Sequence, residues 1–135
     1  MKPVRSLAEH LENLATVAPD ALALIAGGQS ITWLELLLEA KQLAERIQVE
    51  PAAFVRQGSN LDLARHAYAC CLKNRAFWPV DRNNCPHNAF PAPDTTLIIS
   101  TSGTEGKPKA VQLSKRNLDA AAAVSNRRLP LSQGD

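Results

Sequence analysis

The sequence predicts an α/β fold, a mixed or parallel sheet flanked by helices, and two observations carry that reading. From Ala52 onward, short apolar runs alternate with longer stretches whose apolar residues recur at helical spacing. Strands that alternate with helices pair in parallel, because the helix carries the chain back across the sheet. The second observation is the run Thr96-Leu97-Ile98-Ile99, which feeds straight into Ser100-Thr101-Ser102-Gly103-Thr104-Glu105-Gly106-Lys107-Pro108-Lys109. A loop just beyond the carboxyl end of a strand is where open α/β sheets bind ligands.

The elements follow in chain order. Ser6-Leu7-Ala8-Glu9 is a capping box, with Ser6 as N-cap and Glu9 three residues on. Leu7, Leu11, Leu14 and Ala18 then recur at helical spacing, and Pro19-Asp20 closes that helix. The apolar run 21–26, the pair Gly27-Gly28 and the return Gln29-Ser30-Ile31 read as a β-hairpin. Thr32-Trp33-Leu34-Glu35 is a second capping box, and Trp33, Leu36, Ala40, Leu43 and Ile47 form one stripe down the next helix until Pro51.

Ala52-Ala53-Phe54-Val55 is a strand and Gln57-Gly58-Ser59-Asn60 a turn. A helix from Leu61 to Lys73 carries Leu61, Ala64, Tyr68, Cys71 and Leu72 inward, its cysteines serving as small core residues rather than nucleophiles. His10 and His66 fall within helical patterns as surface residues. Arg75 to Val80 is another strand, and Asn83 to Pro93, rich in proline and asparagine, is a loop. The central strand 96–100, the strand 109–113 and a helix from Ser114 through Ala123 complete the pattern.

The stretch Thr101 to Lys109 carries three hydroxyls, two glycines and two lysines. Glycine lets a backbone approach a ligand closely, hydroxyls and free N–H groups donate hydrogen bonds, and lysine adds charge. The chemistry on offer is anion binding, with phosphate the obvious anion. The Walker-type loop does not fit. Only two residues separate Gly103 from Gly106, and Pro108 follows Lys107 where Ser or Thr should stand and a helix should continue.

Composition bounds the rest. The 135 residues are enough for one modest domain, read as a single unit over 1–135. A net charge of +2 is too small to argue for nucleic acid, but its distribution is uneven. Residues 1–100 hold nine bases and ten acids, residues 101–135 six bases and three acids, so the positive excess surrounds the loop. No apolar run is long enough to span a membrane, and the amino terminus lacks the apolar segment of a signal peptide. Cys70, Cys71 and Cys85 form an odd set without a C-x-x-C pair, which points to a reducing, cytoplasmic setting. Cys85-Pro86-His87 has no second pair of ligands at usable spacing, so no metal site is assigned.

Thr101 to Val111 resembles the phosphate-binding loop of the adenylate-forming superfamily, whose usual form reads T-S-G-T-T-G-x-P-K-G-V followed by L-S-H-R-N-L. Leu113-Ser114-Lys115-Arg116-Asn117-Leu118 continues the match. Glu105 stands where Thr or Ser is commoner, Ala110 replaces a usual glycine and Lys115 a usual histidine. Earlier segments are similar more weakly. Pro19-Asp20-Ala21-Leu22-Ala23-Leu24 resembles P-D-x-x-A-L, Ile31 to Leu36 resembles L-T-Y-x-E-L, and Ala76 to Asp81 resembles A-x-x-x-P-L-D. The short connection from Arg82 to Thr96 is similar to that of compact ligases such as o-succinylbenzoate–CoA ligase.

The resemblance implies the amino-terminal part of the large AMP-binding domain of an acyl or aryl acid–CoA ligase. It implies ATP and Mg2+, CoA as a co-substrate and a small-molecule carboxylic acid as substrate. Thr101, Ser102, Gly103, Thr104, Glu105, Gly106, Lys107 and Lys109 would bind the nucleotide phosphates. No residue of this chain matches a catalytic motif of the family, whose later parts are absent here, so the 135 residues alone are expected to be inactive. Surface left open is expected to favour self-association. A second reading stays open, a non-catalytic anion-binding or interaction module that keeps the phosphate loop.

Overall fold

The computed structural model describes residues 7–80, 91–102 and 108–128. Helix α1 (Leu7–Val17) leads into an antiparallel hairpin of β1 (Leu22–Ala26) and β2 (Gln29–Thr32). Gly27 and Gly28 form its turn with φ of 57° and 77°. Two successive left-handed residues match the twist of the flanking strands, and glycine reaches that region without a Cβ clash. The expected N-cap, Ser6, lies outside the described residues.

Helix α2 (Trp33–Ala44) starts on the second capping box as the spacing required. Glu35 N donates to Thr32 Oγ1 at 3.2 Å, and Thr32 N donates to Glu35 Oε1 at 3.1 Å. Two further bonds, Trp33 N to Ala21 O and Leu34 N to Pro19 O, fasten the helix start to the segment leaving α1.

Strand β3 (Phe54–Arg56) begins two residues later than the sequence pattern suggested, and α3 (Asn60–Leu72) follows with Ser59 as N-cap. After α3, Asn74 takes a left-handed φ of 53° and Arg75 N reaches back to Cys70 O, a helix stop built on an Asn. The Arg75 guanidinium then binds the carbonyls of Gln48 and Ala52 and the Glu50 carboxylate, and lies 5.2 Å from the centre of the Phe54 ring. One side chain thereby holds the irregular stretch between α2 and β3 against the sheet.

Strands β4 (Phe77–Pro79), β5 (Thr95–Ser102) and β6 (Pro108–Ser114) complete a four-stranded sheet of order β3-β4-β5-β6. The first three run parallel and β6 runs antiparallel to β5, so the sheet is mixed. Helix α4 (Lys115–Arg128) follows β6 directly. The read strands 75–80, 96–100 and 109–113 fall on β4, β5 and β6, with ends displaced by one or two residues.

Adjacent strand residues serve opposite faces. Phe77 joins the cluster that holds Leu11, Leu36, Ala40, Leu61, Ala69 and Cys70 from the three helices. Its neighbour Trp78 joins Ala53, Ala76, Val80 and Ile98 on the other face. The sheet is therefore buried on both faces near β4. At β5–β6, the directly paired Ile99 and Val111 stay 40% and 41% exposed.

The inward face of α3 differs from the expected one. Leu61, His66, Ala69 and Cys70 are buried, whereas Ala64, Tyr68, Cys71 and Leu72 are only partly so. The reason is that α3 packs against α2 and α1 as well as the sheet, so its buried arc is set by three neighbours. His66 corrects the surface assignment, being 6% exposed, because its ring stacks on Phe54 at 5.9 Å. His10 is exposed, as read.

Candidate functional site

The site is delivered by β5 and β6. Their register pairs Ser100 with Ala110, Thr101 with Lys109 and Ser102 with Pro108. The backbones of Thr101, Ser102 and Lys109 are thus brought together at the carboxyl end of β5. Gly103, Thr104, Glu105, Gly106 and Lys107 form the connection and lie outside the described residues. Because β3 and β4 run parallel to β5, their carboxyl ends, Arg56 and Pro79, point to the same edge.

Two sets of long-range contacts hold the two strands in place, neither of them marked by sequence patterning, and a local cap starts α4. Trp78 Nε1 donates to Ser100 Oγ at 2.8 Å, tying β4 to the residue just before Thr101. Gln112 Oε1 accepts from Ala92 N and from Thr95 Oγ1, both at 3.0 Å, which fixes where β5 starts against β6. Ser114 caps α4 reciprocally with Asn117. Asn117 N donates to Ser114 Oγ at 3.1 Å, and Ser114 N donates to Asn117 Oδ1 at 3.0 Å. The last pair is an Asn variant of the capping box, with the amide replacing Glu or Gln. Lys115 pairs with Asp119 one helical turn on.

The other sequence candidates separate cleanly. Burial pushes the Cys70 thiol up to about 12 and the Cys71 thiol up to about 11. Both are thus held in the protonated form near neutral pH, which agrees with their reading as small packing residues rather than nucleophiles. Cys85 and His87 lie outside the described residues. Among the described residues no group of three or more His, Cys, Asp or Glu could hold a metal ion, and no helix is long and apolar enough to cross a membrane.

The sequence matches no family model and no curated protein. Solved structures do match. VinN in complex with 3-methylaspartate superposes with a TM-score of 0.79 at 14% identity, over 97% of this chain and 53% of that one. The o-succinylbenzoate coenzyme A synthetase MenE from Bacillus subtilis, in complex with AMP, gives 0.77 at 17% identity, over 97% and 48%. The same synthetase with ATP and magnesium ion gives 0.71. The N-terminal subdomain of Klebsiella oxytoca NpsA, in complex with 3-hydroxyanthranilyl-AMSN, gives 0.65 at 18% identity, over 84% and 41%. The chain spans about half the length of the first of these. At such identities the likeness is one of architecture: this chain has the fold of the amino-terminal portion of adenylate-forming enzymes.

Proposed function

We propose that this chain supplies the ATP-phosphate-binding part of an ATP-dependent acid–CoA ligase. The observation that carries the reading is the coincidence of motif and place. The segment Thr101 to Lys109 joins two antiparallel strands at the carboxyl edge of the sheet, on the fold that MenE shares. In the reaction, a carboxylate oxygen attacks the α-phosphorus of ATP, the bond to the bridging oxygen breaks and pyrophosphate leaves. A CoA thiol then attacks the acyl carbon of the adenylate and AMP leaves.

The chain's own part is to bind and orient. Backbone N–H groups of 102–106 and the hydroxyls of Thr101, Ser102 and Thr104 hold the β- and γ-phosphates. Lys107 and Lys109 offset their charge as pyrophosphate departs, which is positioning plus electrostatic stabilisation. Magnesium would arrive on the nucleotide phosphates, with Glu105 the one acid within the loop. The substrate would be a small carboxylic acid and the setting cytoplasmic. The exposed Ile99–Val111 pair supports self-association, or covering by further protein, at this end of the sheet.

Titrating the purified chain with pyrophosphate and with ATP, followed by amide shifts, tests the assignment. The expected result is saturable binding in the millimolar range, on the order of 4 kcal/mol, confined to 100–110 and lost in Lys109→Ala. The same preparation with ATP, magnesium and a panel of acids should release no pyrophosphate above the Lys109→Ala control. Phosphate binding that maps elsewhere, or none at all, would reject the reading.

A further inference from the structure

A cleft of about 540 Å³ opens between α2, α3 and β3. Periodicity puts charge into it. Glu39 and Arg46, two turns apart on α2 and its terminal turn, face Asp62, Arg65 and His66 of α3, and Arg56 closes the end at β3. Two of the three arginines are matched. Arg56 Nε lies 3.0 Å from Asp62 Oδ2, and Arg65 Nε lies 2.6 Å from Glu39 Oε2. Arg46 has no counter-ion among the described residues. His66 aside, the two acids and three arginines of the lining leave one net positive charge.

His66 adds an acceptor. Its Nδ1 is 2.8 Å from the backbone oxygen of Asp62. A carbonyl can only accept, so Nδ1 carries the proton and Nε2 of the neutral ring has the lone pair. No described residue takes Nε2, yet no buried side-chain nitrogen or oxygen is left without a partner. Nε2 is therefore not sealed from solvent, and His66 is one of the residues that line the cleft. Leu43, Ile47 and Phe54 supply apolar wall beside it.

We propose that this cleft binds a small organic carboxylate that also carries an O–H or N–H group. The carboxylate meets Arg46, the donor meets His66 Nε2, and the carbon body lies on Leu43, Ile47 and Phe54. The charge selects the class, since one carboxylate cancels the single excess cation, whereas a phosphate monoester at neutral pH brings closer to two charges. The volume is that of a small-molecule site. Strand β4 stands between β3 and β5, so the proposal does not rest on the phosphate loop.

The test is a titration of the full chain with 3-phenyllactate, read on the His66 ring nitrogens and the arginine Nε–H signals. Saturable shifts at His66 and Arg46 are expected. Arg46→Gln, at an exposed position, should weaken binding about tenfold or more, the usual effect of losing a charge-assisted bond. 3-Phenylpropionate, which lacks the hydroxyl, and phenyl phosphate should both bind more weakly. Shifts that never saturate, equal affinity in Arg46→Gln, or tighter binding of phenyl phosphate would overturn the proposal.

Discussion

The indole N–H of Trp78 donates to the hydroxyl of Ser100 across the β4–β5 boundary at 2.8 Å. Trp78 is buried and Ser100 half-buried, and the bond sits one residue before the loop. Trp78→Phe keeps most of the ring and removes the donor. Urea denaturation should show a loss of about 0.5–1.5 kcal/mol beyond the packing change. In a double-mutant cycle with Ser100→Ala the two losses should be less than additive by that amount. Full additivity would mean that the contact does not couple the strands.

Gly27 and Gly28 need left-handed backbone, and a Cβ on either meets nothing within 4 Å. The cost of Gly→Ala here is therefore backbone strain alone, about 1–2 kcal/mol at each position. Asn, which tolerates this region, should recover part of it. Thermal unfolding of Gly27→Ala, Gly28→Ala and Gly28→Asn would rank the three.

The Arg56 guanidinium, hydrogen-bonded to Asp62, holds that carboxyl below its ordinary value of 3.8, against the opposing effect of burial. The unfolded chain therefore binds the proton more readily than the native one. The stabilisation is fully present above about pH 3.8 and is lost as pH falls through the native value. Urea titrations between pH 5 and 2 should show this acid-side decline, and Arg56→Gln should flatten it.

If the loop holds phosphate, its two lysines should differ. Lys109 is paired with Thr101 in the β5–β6 ladder, whereas Lys107 belongs to the connection. Lys109→Ala should weaken pyrophosphate binding by this chain about ten- to hundredfold, from about 1.5–3 kcal/mol of charge-assisted contact. Lys107→Ala should cost less, and equal or reversed losses would reject the distinction.

Much of this architecture was legible because its signals are local. The Thr32–Glu35 box, the Gly27-Gly28 turn and the β-branched run into Ser100 each specify backbone through neighbours a few residues away. The misread features are those decided across the fold. His66 looked like a surface residue by spacing and is buried because Phe54 of another element stacks on it. The partners of Ser100 and Gln112 stand about twenty residues away, beyond any periodicity. The charged cleft was invisible for the same reason, since its walls come from three separate segments. The loop residues from Gly103 to Lys107 were named by their chemistry, which needs no tertiary context.

The antiparallel turn of β6 back along β5 bears on how the protein assembles. Parallel pairings such as β3 with β4 must wait for α3 to form and a long segment to close, and such contacts slow folding. The β5–β6 pair closes over the short stretch between Ser102 and Pro108, and hairpins form within microseconds. The pair that frames the loop therefore carries the smaller closure cost, and the parallel pairings the larger.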